Sequence, residues 1–168
     1  MGKVMEFFGL LGLAGGLMGV AAGEVAPEFT AQNQKGETKK LSDFKGQPVL
    51  IYFYPKDDTP GCTKEACTFR DEYAKFKKVG AVILGVSAQD ERSHKAFADK
   101  FHLPFDLLVD KDGKIGEKFG VSRMPLIGLH KRQSVLIGKD GKIVKFYDTV
   151  DPGKHAAEVL AELEKQKT

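Results

Sequence analysis

Residues 49–54 read VLIYFY, and the fold prediction starts from this uninterrupted apolar run. A run of β-branched, aromatic and aliphatic residues with no polar position is typical of a central strand that is buried on both faces of a sheet. Pro55 closes the run, and a second apolar run follows at residues 81–86 (AVILGV) after an amphipathic helical pattern. Strands that alternate with helices in this way are expected to lie parallel.

The pattern extends in both directions from this strand. Upstream, residues 29–41 alternate around Gln34-Lys35-Gly36 and predict a small hairpin. Downstream, Asp140-Gly141 is a strong hairpin turn signal between two further apolar runs. The chain is therefore predicted to be α/β, with a central mixed sheet and helices on both faces. The predicted helices cover residues 62–78, 93–101, 114–119 and 152–165, and the later strands cover 105–109, 134–137 and 143–147.

Composition and charge exclude several classes of protein. The net charge of +3 comes from 26 basic and 23 acidic residues, and the basic pairs are scattered rather than concentrated, which argues against nucleic-acid binding. The two cysteines are too few for a disulfide scaffold or for an unaided structural zinc site. The four histidines stand apart from both cysteines, so no metal site is predicted.

The first residues differ in character from the rest of the chain. Residues 7–22 read FFGLLGLAGGLMGVAA, with Lys3 before them and the small residues Ala21-Ala22-Gly23 at the end. This pattern resembles a secretory signal peptide and is short for a membrane span. We predict a leader at residues 1–23, a domain at 24–168, and export to a periplasm or lumen. The alternatives are an uncleaved membrane tether and a disordered leader on a cytoplasmic protein.

A loop at the carboxyl end of the central strand places Cys62 at the start of a predicted helix. Ligands of open α/β sheets bind outside this end of the strands, and the free N–H groups and dipole of a helix N-terminus favour a thiolate. Complete ionisation of an ordinary thiol raises the concentration of the thiolate nucleophile at pH 7 only roughly thirtyfold. Further groups are therefore needed to bind a substrate and to stabilise the charge that develops during the reaction. Thr59 can donate or accept a hydrogen bond in the loop, and Arg132 is the candidate for a fixed cation. The alternative is that Cys62 is simply a small buried hydrophobe.

The spacing between Cys62 and Cys67 implies a conformational change if the two are to bond. On one regular helix, Cα atoms five residues apart are separated by about 8.6 Å, whereas a disulfide needs less than about 7 Å. A disulfide between them would therefore require the first turns of the helix to unwind. For Cys67 alone, the role of a small buried apolar side chain is an equal alternative.

The segment around Cys62 resembles a known signature, that of peroxiredoxin Q, also called bacterioferritin comigratory protein. The general peroxiredoxin pattern Pro-x-x-x-Thr-x-x-Cys is met by Pro55, Thr59 and Cys62, and a second cysteine five residues later marks this subfamily. The resemblance runs from about residue 26 to the C-terminus. The stretch that enters Lys131-Arg132-Gln133-Ser134 is similar to the plant and cyanobacterial branch.

This resemblance implies a thioredoxin-like fold and a peroxidase that reduces hydrogen peroxide and organic hydroperoxides. It implies that Cys62 becomes a sulfenic acid, that Cys67 condenses with it to a disulfide, and that a thioredoxin-like protein restores both thiols. Pro55, Thr59 and Arg132 are expected to bind the peroxide, with Arg123 as the fallback for the cation. The same resemblance implies a monomer that needs no metal, haem or flavin. No stable membrane partner is expected once the leader is removed.

Three alternatives remain open from the sequence. The chain could be a thiol–disulfide oxidoreductase of the thioredoxin type, although such proteins use Cys-x-x-Cys and this chain has four residues between its cysteines. It could instead be a peroxide sensor that uses the same cysteine pair to signal to a partner. Glu65 is either a working part of the motif or a solvated acid in the first turns of the helix.

Overall fold

The computed structural model describes residues 20–167 of the chain. Its strands are β1 (Thr30–Gln32), β2 (Thr38–Lys40), β3 (Val49–Phe53), β4 (Val82–Ser87), β5 (Asp106–Val109), β6 (Gln133–Ile137) and β7 (Ile143–Tyr147). Its α-helices are α1 (Pro60–Asp71), α2 (Tyr73–Lys78), α3 (Glu91–Phe101), α4 (Lys114–Lys118) and α5 (His155–Lys165).

The main sheet has the strand order β5-β4-β3-β6-β7, and β1 pairs with β2 as a separate hairpin. β3 runs parallel to β4 and antiparallel to β6, so the sheet is mixed, as predicted. Every residue of β3 is buried, because the strand has a neighbour on each edge and a packed layer on each face. The apolar run at residues 49–54 is therefore the centre of the fold.

Two apolar cores lie on opposite faces of this sheet. One contains Tyr52 of β3 and is covered by α1, α2, α3 and α5. The other contains Phe53 and is covered by the β1–β2 hairpin and α4, where Phe29 meets Phe119 with ring centroids 6.0 Å apart. Helices on both faces are thus confirmed, although four of the five described helices share one face. The crowded face is the one that carries Cys62.

The single helix predicted over residues 62–78 is two helices in the structure. α1 ends at Asp71 and α2 begins at Tyr73, with Glu72 between them. The Glu72 carbonyl accepts from the N–H groups of both Lys75 and Phe76, at 3.0 and 3.3 Å, which tightens the chain at this point. The apolar periodicity continues across the break because both helices face the same core, so the pattern alone did not reveal it.

The segment that follows the predicted leader is joined to the edge of the sheet. The Gly23 N–H donates to the carbonyl of Ile143 at 2.8 Å, and the Ile143 N–H donates to the carbonyl of Glu24 at 2.8 Å. The predicted boundary at residues 23 and 24 therefore falls within a stretch that pairs with β7. The leader itself lies, up to residue 19, outside the described residues. Within residues 20–167, no helix is both long enough and apolar enough to cross a membrane.

Candidate active site

The loop between β3 and α1 sets the position of Cys62. Thr59 is the N-cap of α1 in an extended conformation, and Pro60 follows as the first helical residue. A proline fits there because its fixed φ suits the helix. It also loses no helical hydrogen bond, because an N–H group at this first position would have no acceptor within the helix. Cys62 is consequently the third residue of α1, within the turn whose backbone N–H groups are free. The Thr59 hydroxyl donates to the Lys56 carbonyl at 2.8 Å and so braces the loop.

Arg132 reaches Cys62 from the neighbouring strand. Phe53 of β3 lies opposite Gln133 of β6, which places Arg132 beside the carboxyl end of β3. Its Nη2 lies 3.3 Å from Cys62 Sγ, and Cys62 is only 1% exposed. A Cβ atom on Gly61 would lie 2.9 Å from the same Nη2, so only glycine leaves room for the guanidinium here. The predicted cation and the predicted nucleophile are therefore in contact.

Glu65 shares this arginine with Cys62. Nη1 of Arg132 donates to Glu65 Oε1 at 2.8 Å, while Glu65 Oε2 is buried with no hydrogen-bond partner. Burial raises the pKa of Glu65 to about 7, although the Arg132 guanidinium acts in the opposite direction. The reading of Glu65 as a solvated acid is wrong because its side chain is fully buried. The Arg132 guanidinium thus contacts two groups that can carry negative charge, the Glu65 carboxyl and the Cys62 sulfur. When Glu65 is protonated, the sulfur is the only one of the two that can be negatively charged beside this cation.

Arg123, the fallback for this role, lies elsewhere. It is exposed, its Nε donates to the Gly128 carbonyl at 2.8 Å, and its Nη1 donates to the Asp112 carbonyl at 3.3 Å. These bonds tie Arg123 to Gly128 in the loop that precedes His130 and to Asp112 in the turn before α4. The structure therefore brings together Cys62, Arg132 and Glu65 and leaves Arg123 out of this cluster.

The second cysteine lies on the same unbroken helix as the first. Cys67 is half-buried, and both thiols are free. Because α1 runs from Pro60 to Asp71 without interruption, ideal helix geometry keeps the two Cα atoms about 8.6 Å apart. The structure is therefore the form in which the two sulfurs cannot bond to each other.

Sequence reasoning missed a buried polar network behind the loop. Asp57 Oδ1 accepts from the Tyr54 hydroxyl at 2.6 Å, and Asp57 Oδ2 accepts from the Ser93 hydroxyl at 2.7 Å and lies 2.6 Å from His94 Nδ1. Ser93 and His94 lie within the part of the chain over which the resemblance runs, but no local pattern pairs them with Asp57. Only the fold brings residues 57 and 94 together.

Comparisons with known proteins agree with this geometry. The AhpC/TSA family profile matches residues 22–146. The chain is 48% identical over 142 residues to the chloroplastic peroxiredoxin Q of Triticum aestivum, covering 84% of this chain and 65% of that protein. It is 42% identical over 152 residues to the putative peroxiredoxin bcp of Coxiella burnetii, covering 87% of this chain and 100% of that one. The chain thus spans slightly less than two thirds of the wheat protein.

Solved structures give the same assignment. The peroxidoxin BcpB of Mycobacterium tuberculosis has a TM-score of 0.81 at 34% identity, covering 88% of this chain and 98% of that one. The bacterioferritin comigratory protein of Xanthomonas campestris has a TM-score of 0.80 at 31% identity, covering 88% of this chain and 100% of that one. That protein is described as having an alkyl peroxide reduction activity. With its thioredoxin-like fold and its two cysteines five residues apart, this chain belongs to the AhpC/TSA family and, within it, to the peroxiredoxin Q and bacterioferritin comigratory proteins.

Proposed function

We propose that this chain is a thiol-dependent peroxidase in which Cys62 attacks the peroxide. The observation that carries the proposal is the contact of 3.3 Å between Arg132 Nη2 and Cys62 Sγ, at the N-terminal turn of α1. The guanidinium and the free N–H groups of the turn are placed to stabilise negative charge at this position. A cysteine sulfur beside a fixed cation suits nucleophilic attack on an O–O bond, because the same cation can stabilise the charge on the departing oxygen.

The first step transfers one oxygen atom to sulfur. The Cys62 thiolate attacks the terminal oxygen of ROOH, an S–O bond forms, the O–O bond breaks, and the leaving RO⁻ takes up a proton to give water or an alcohol. Arg132 stabilises the charge that develops on the departing oxygen. The hydrogen of the Thr59 hydroxyl is engaged by the Lys56 carbonyl, which leaves the lone pairs of Thr59 to accept the O–H of the peroxide. Pro55, at the start of the same loop, is the remaining proposed contact of the peroxide.

The second step closes a disulfide. The Cys62 sulfenic acid condenses with the Cys67 thiol to give a Cys62–Cys67 disulfide and one water molecule, and a thioredoxin-like dithiol then returns two electrons and two protons. The half-buried position of Cys67 on the same helix supports this role. Hydrogen peroxide and organic hydroperoxides are the proposed substrates, consistent with the alkyl peroxide reduction described for the Xanthomonas campestris relative. The protein acts as a monomer in this proposal.

A turnover assay tests the proposal against its two alternatives. Catalytic consumption of peroxide coupled to thioredoxin is expected of a peroxidase. Reduction of insulin disulfides without peroxide turnover would instead identify a thiol–disulfide oxidoreductase. Oxidation of one equivalent with no turnover, in the presence of thioredoxin and its reductase, would identify a sensor.

The proposed cycle requires α1 to unwind. Cys62 and Cys67 are held apart by about 8.6 Å on the intact helix, so oxidation has to break backbone hydrogen bonds and expose apolar residues such as Ala66 and Phe69, which are fully buried here. At about 1 kcal/mol net for each bond, the cost is a few kcal/mol. A change of this size leaves a measurable trace in amide exchange.

We expect hydrogen exchange to locate this unwinding. In the oxidised protein, amides at residues 62–70 should lose protection, while those at residues 49–54 and 81–86 should keep it because β3 and β4 are central strands. The comparison uses reduced and oxidised samples, with the disulfide confirmed by mass. Equal protection of residues 62–70 in both forms would contradict the switch.

The protein is further proposed to be exported, with the mature chain starting near Glu24. The uncharged run at residues 7–22 and the small residues Ala21-Ala22-Gly23 support this. Mass spectrometry of the protein from its own host should then show a mature N-terminus near Glu24. An intact N-terminus in a soluble cytoplasmic fraction would reject export, and an intact N-terminus in the membrane fraction would identify a tether.

A further inference from the structure

Helix α3 contacts the chain on both sides of the segment that has to unwind. On the N-terminal side, Ser93 and His94 of α3 bind Asp57, five residues before Cys62. On the C-terminal side, Arg70 Nη1 donates to the Phe101 carbonyl at the end of α3, at 2.8 Å. The two cysteines lie between these contacts. α3 is therefore placed to stay fixed while the segment between Asp57 and Arg70 changes shape.

The N-terminal contact is a buried hydrogen bond between the side chains of His94 and Asp57. His94 is fully buried, with Nδ1 2.6 Å from Asp57 Oδ2 and Nε2 2.9 Å from the carbonyl of Leu108 on β5. A carbonyl only accepts hydrogen bonds, so Nε2 donates to Leu108, and Nδ1 is the ring nitrogen that contacts Asp57. The His94 ring joins the catalytic loop to α3 and β5 at once.

The partners of Asp57 are complete without any group of the reaction. Its carboxyl group accepts from the Tyr54 and Ser93 hydroxyls and lies in hydrogen-bond contact with His94. Its N–H donates to Gln89 Oε1 at 3.1 Å, and Gln89 Nε2 holds the Pro55 carbonyl at 3.2 Å. The neighbouring pair of Asp58 with Lys100 is about half exposed on both sides and is worth little by comparison. The loop is thus fastened at Asp57.

We infer that His94, acting through Asp57, is a positioning residue for closure of the Cys62–Cys67 disulfide. The inference rests on the proposed peroxidase function. While α1 is intact, the helix and Arg132 hold Cys62 in place. Once α1 unwinds, the fastened loop is what limits the distance that the Cys62 sulfur can move. It thereby keeps Cys62–SOH close to the Cys67 thiol, so that the disulfide forms and water leaves before a second peroxide can oxidise the sulfur to a sulfinic acid.

Two substitutions of His94 separate the contacts that it makes. The side-chain nitrogen of glutamine lies near the place of Nε2, so His94→Gln keeps a donor for Leu108 and loses the contact with Asp57. The side-chain nitrogen of asparagine lies near the place of Nδ1, so His94→Asn keeps the contact with Asp57. Asp58→Asn is the matched control, because Asp58 has φ 57°, asparagine tolerates that conformation, and the change removes only the exposed pair.

The measurement follows two rates after one equivalent of hydrogen peroxide, with sulfenic acid, disulfide and sulfinic acid resolved by mass. We expect His94→Gln to slow disulfide formation about tenfold and to change the rate of Cys62 oxidation by less than about threefold. With excess peroxide, sulfinic acid should accumulate in this variant. His94→Asn and Asp58→Asn should resemble the wild type in both rates.

The opposite outcomes overturn the inference. If His94→Gln slows both steps equally, His94 helps to build the peroxide site and has no separate role in closure. If His94→Gln closes the disulfide at the wild-type rate, the contact has no positioning role. Should His94→Gln fail to fold, Asp57→Ala breaks the same contact from the side of the loop, and an unchanged ratio of the two rates there refutes the inference. Failure of the wild type to turn over peroxide would refute the proposed function instead.

Discussion

Cys62→Ser should abolish peroxide turnover, with kcat/KM lower by at least about a thousandfold. The substitution keeps the shape of the side chain, so α1 and the pair of Arg132 with Glu65 are expected to stay in place. A serine hydroxyl stays protonated beside the same cation, and an O–O bond is not cleaved without an ionised nucleophile. The thioredoxin-coupled assay measures the loss, and thermal unfolding checks that the variant is folded. Full activity of Cys62→Ser would contradict the assignment of the nucleophile.

Cys67→Ser is the matched control for the cysteine pair and should fail at a different step. It keeps Cys62 and Arg132, so it should consume about one equivalent of peroxide at the wild-type rate and then stall, because no internal thiol can condense with the sulfenic acid. Mass spectrometry should find one added oxygen on Cys62. Turnover of Cys67→Ser with thioredoxin at the wild-type rate would show that Cys67 is not the resolving cysteine.

The fold could be predicted because its signals are local. The apolar run at residues 49–54 identified β3 as a strand with neighbours on both edges, and the turns at Gly36 and Gly141 identified the two hairpins. Both glycines have positive φ, 76° and 80°, which is the backbone requirement that the turn signals encode. A pattern of this kind depends on residues a few positions apart, so a single sequence contains it.

The candidate site could be predicted only in part, because its remaining contacts are distant in the chain. Glu65 meets Arg132 across 67 positions, and Asp57 meets His94 across 37. A glutamate in the first turns of a helix is usually solvated and favourable to the dipole, and no local pattern distinguishes it from one that is buried. The contact between Arg132 and Cys62 depends on the register of β6 beside β3, which the sequence does not specify.

Arg132→Ala should slow the attack of Cys62 on peroxide by two or more powers of ten, the scale of losing a preorganised charge donor in an active site. The loss has two causes. The thiolate loses the cation that lies 3.3 Å away, and the departing oxygen loses the group that would stabilise its charge. Stopped-flow measurement of the first oxidation, with thioredoxin absent, isolates this step from closure and recycling.

The fully buried Glu65 makes the choice of control important, because Arg132→Ala leaves that carboxyl without its ion-pair partner. Breaking a buried pair in this way costs at most about 3–5 kcal/mol of folding stability, and less where the carboxyl takes up a proton, because loss of the guanidinium raises the pKa of Glu65 further. A slow rate could then reflect a damaged fold. The double variant Arg132→Ala, Glu65→Gln removes the ionisable carboxyl, so it should regain stability and remain slow. Arg123→Ala should change the rate of attack by less than about twofold, since its partners are the carbonyls of Asp112 and Gly128. A slow Arg123→Ala beside a fast Arg132→Ala would transfer the role to Arg123.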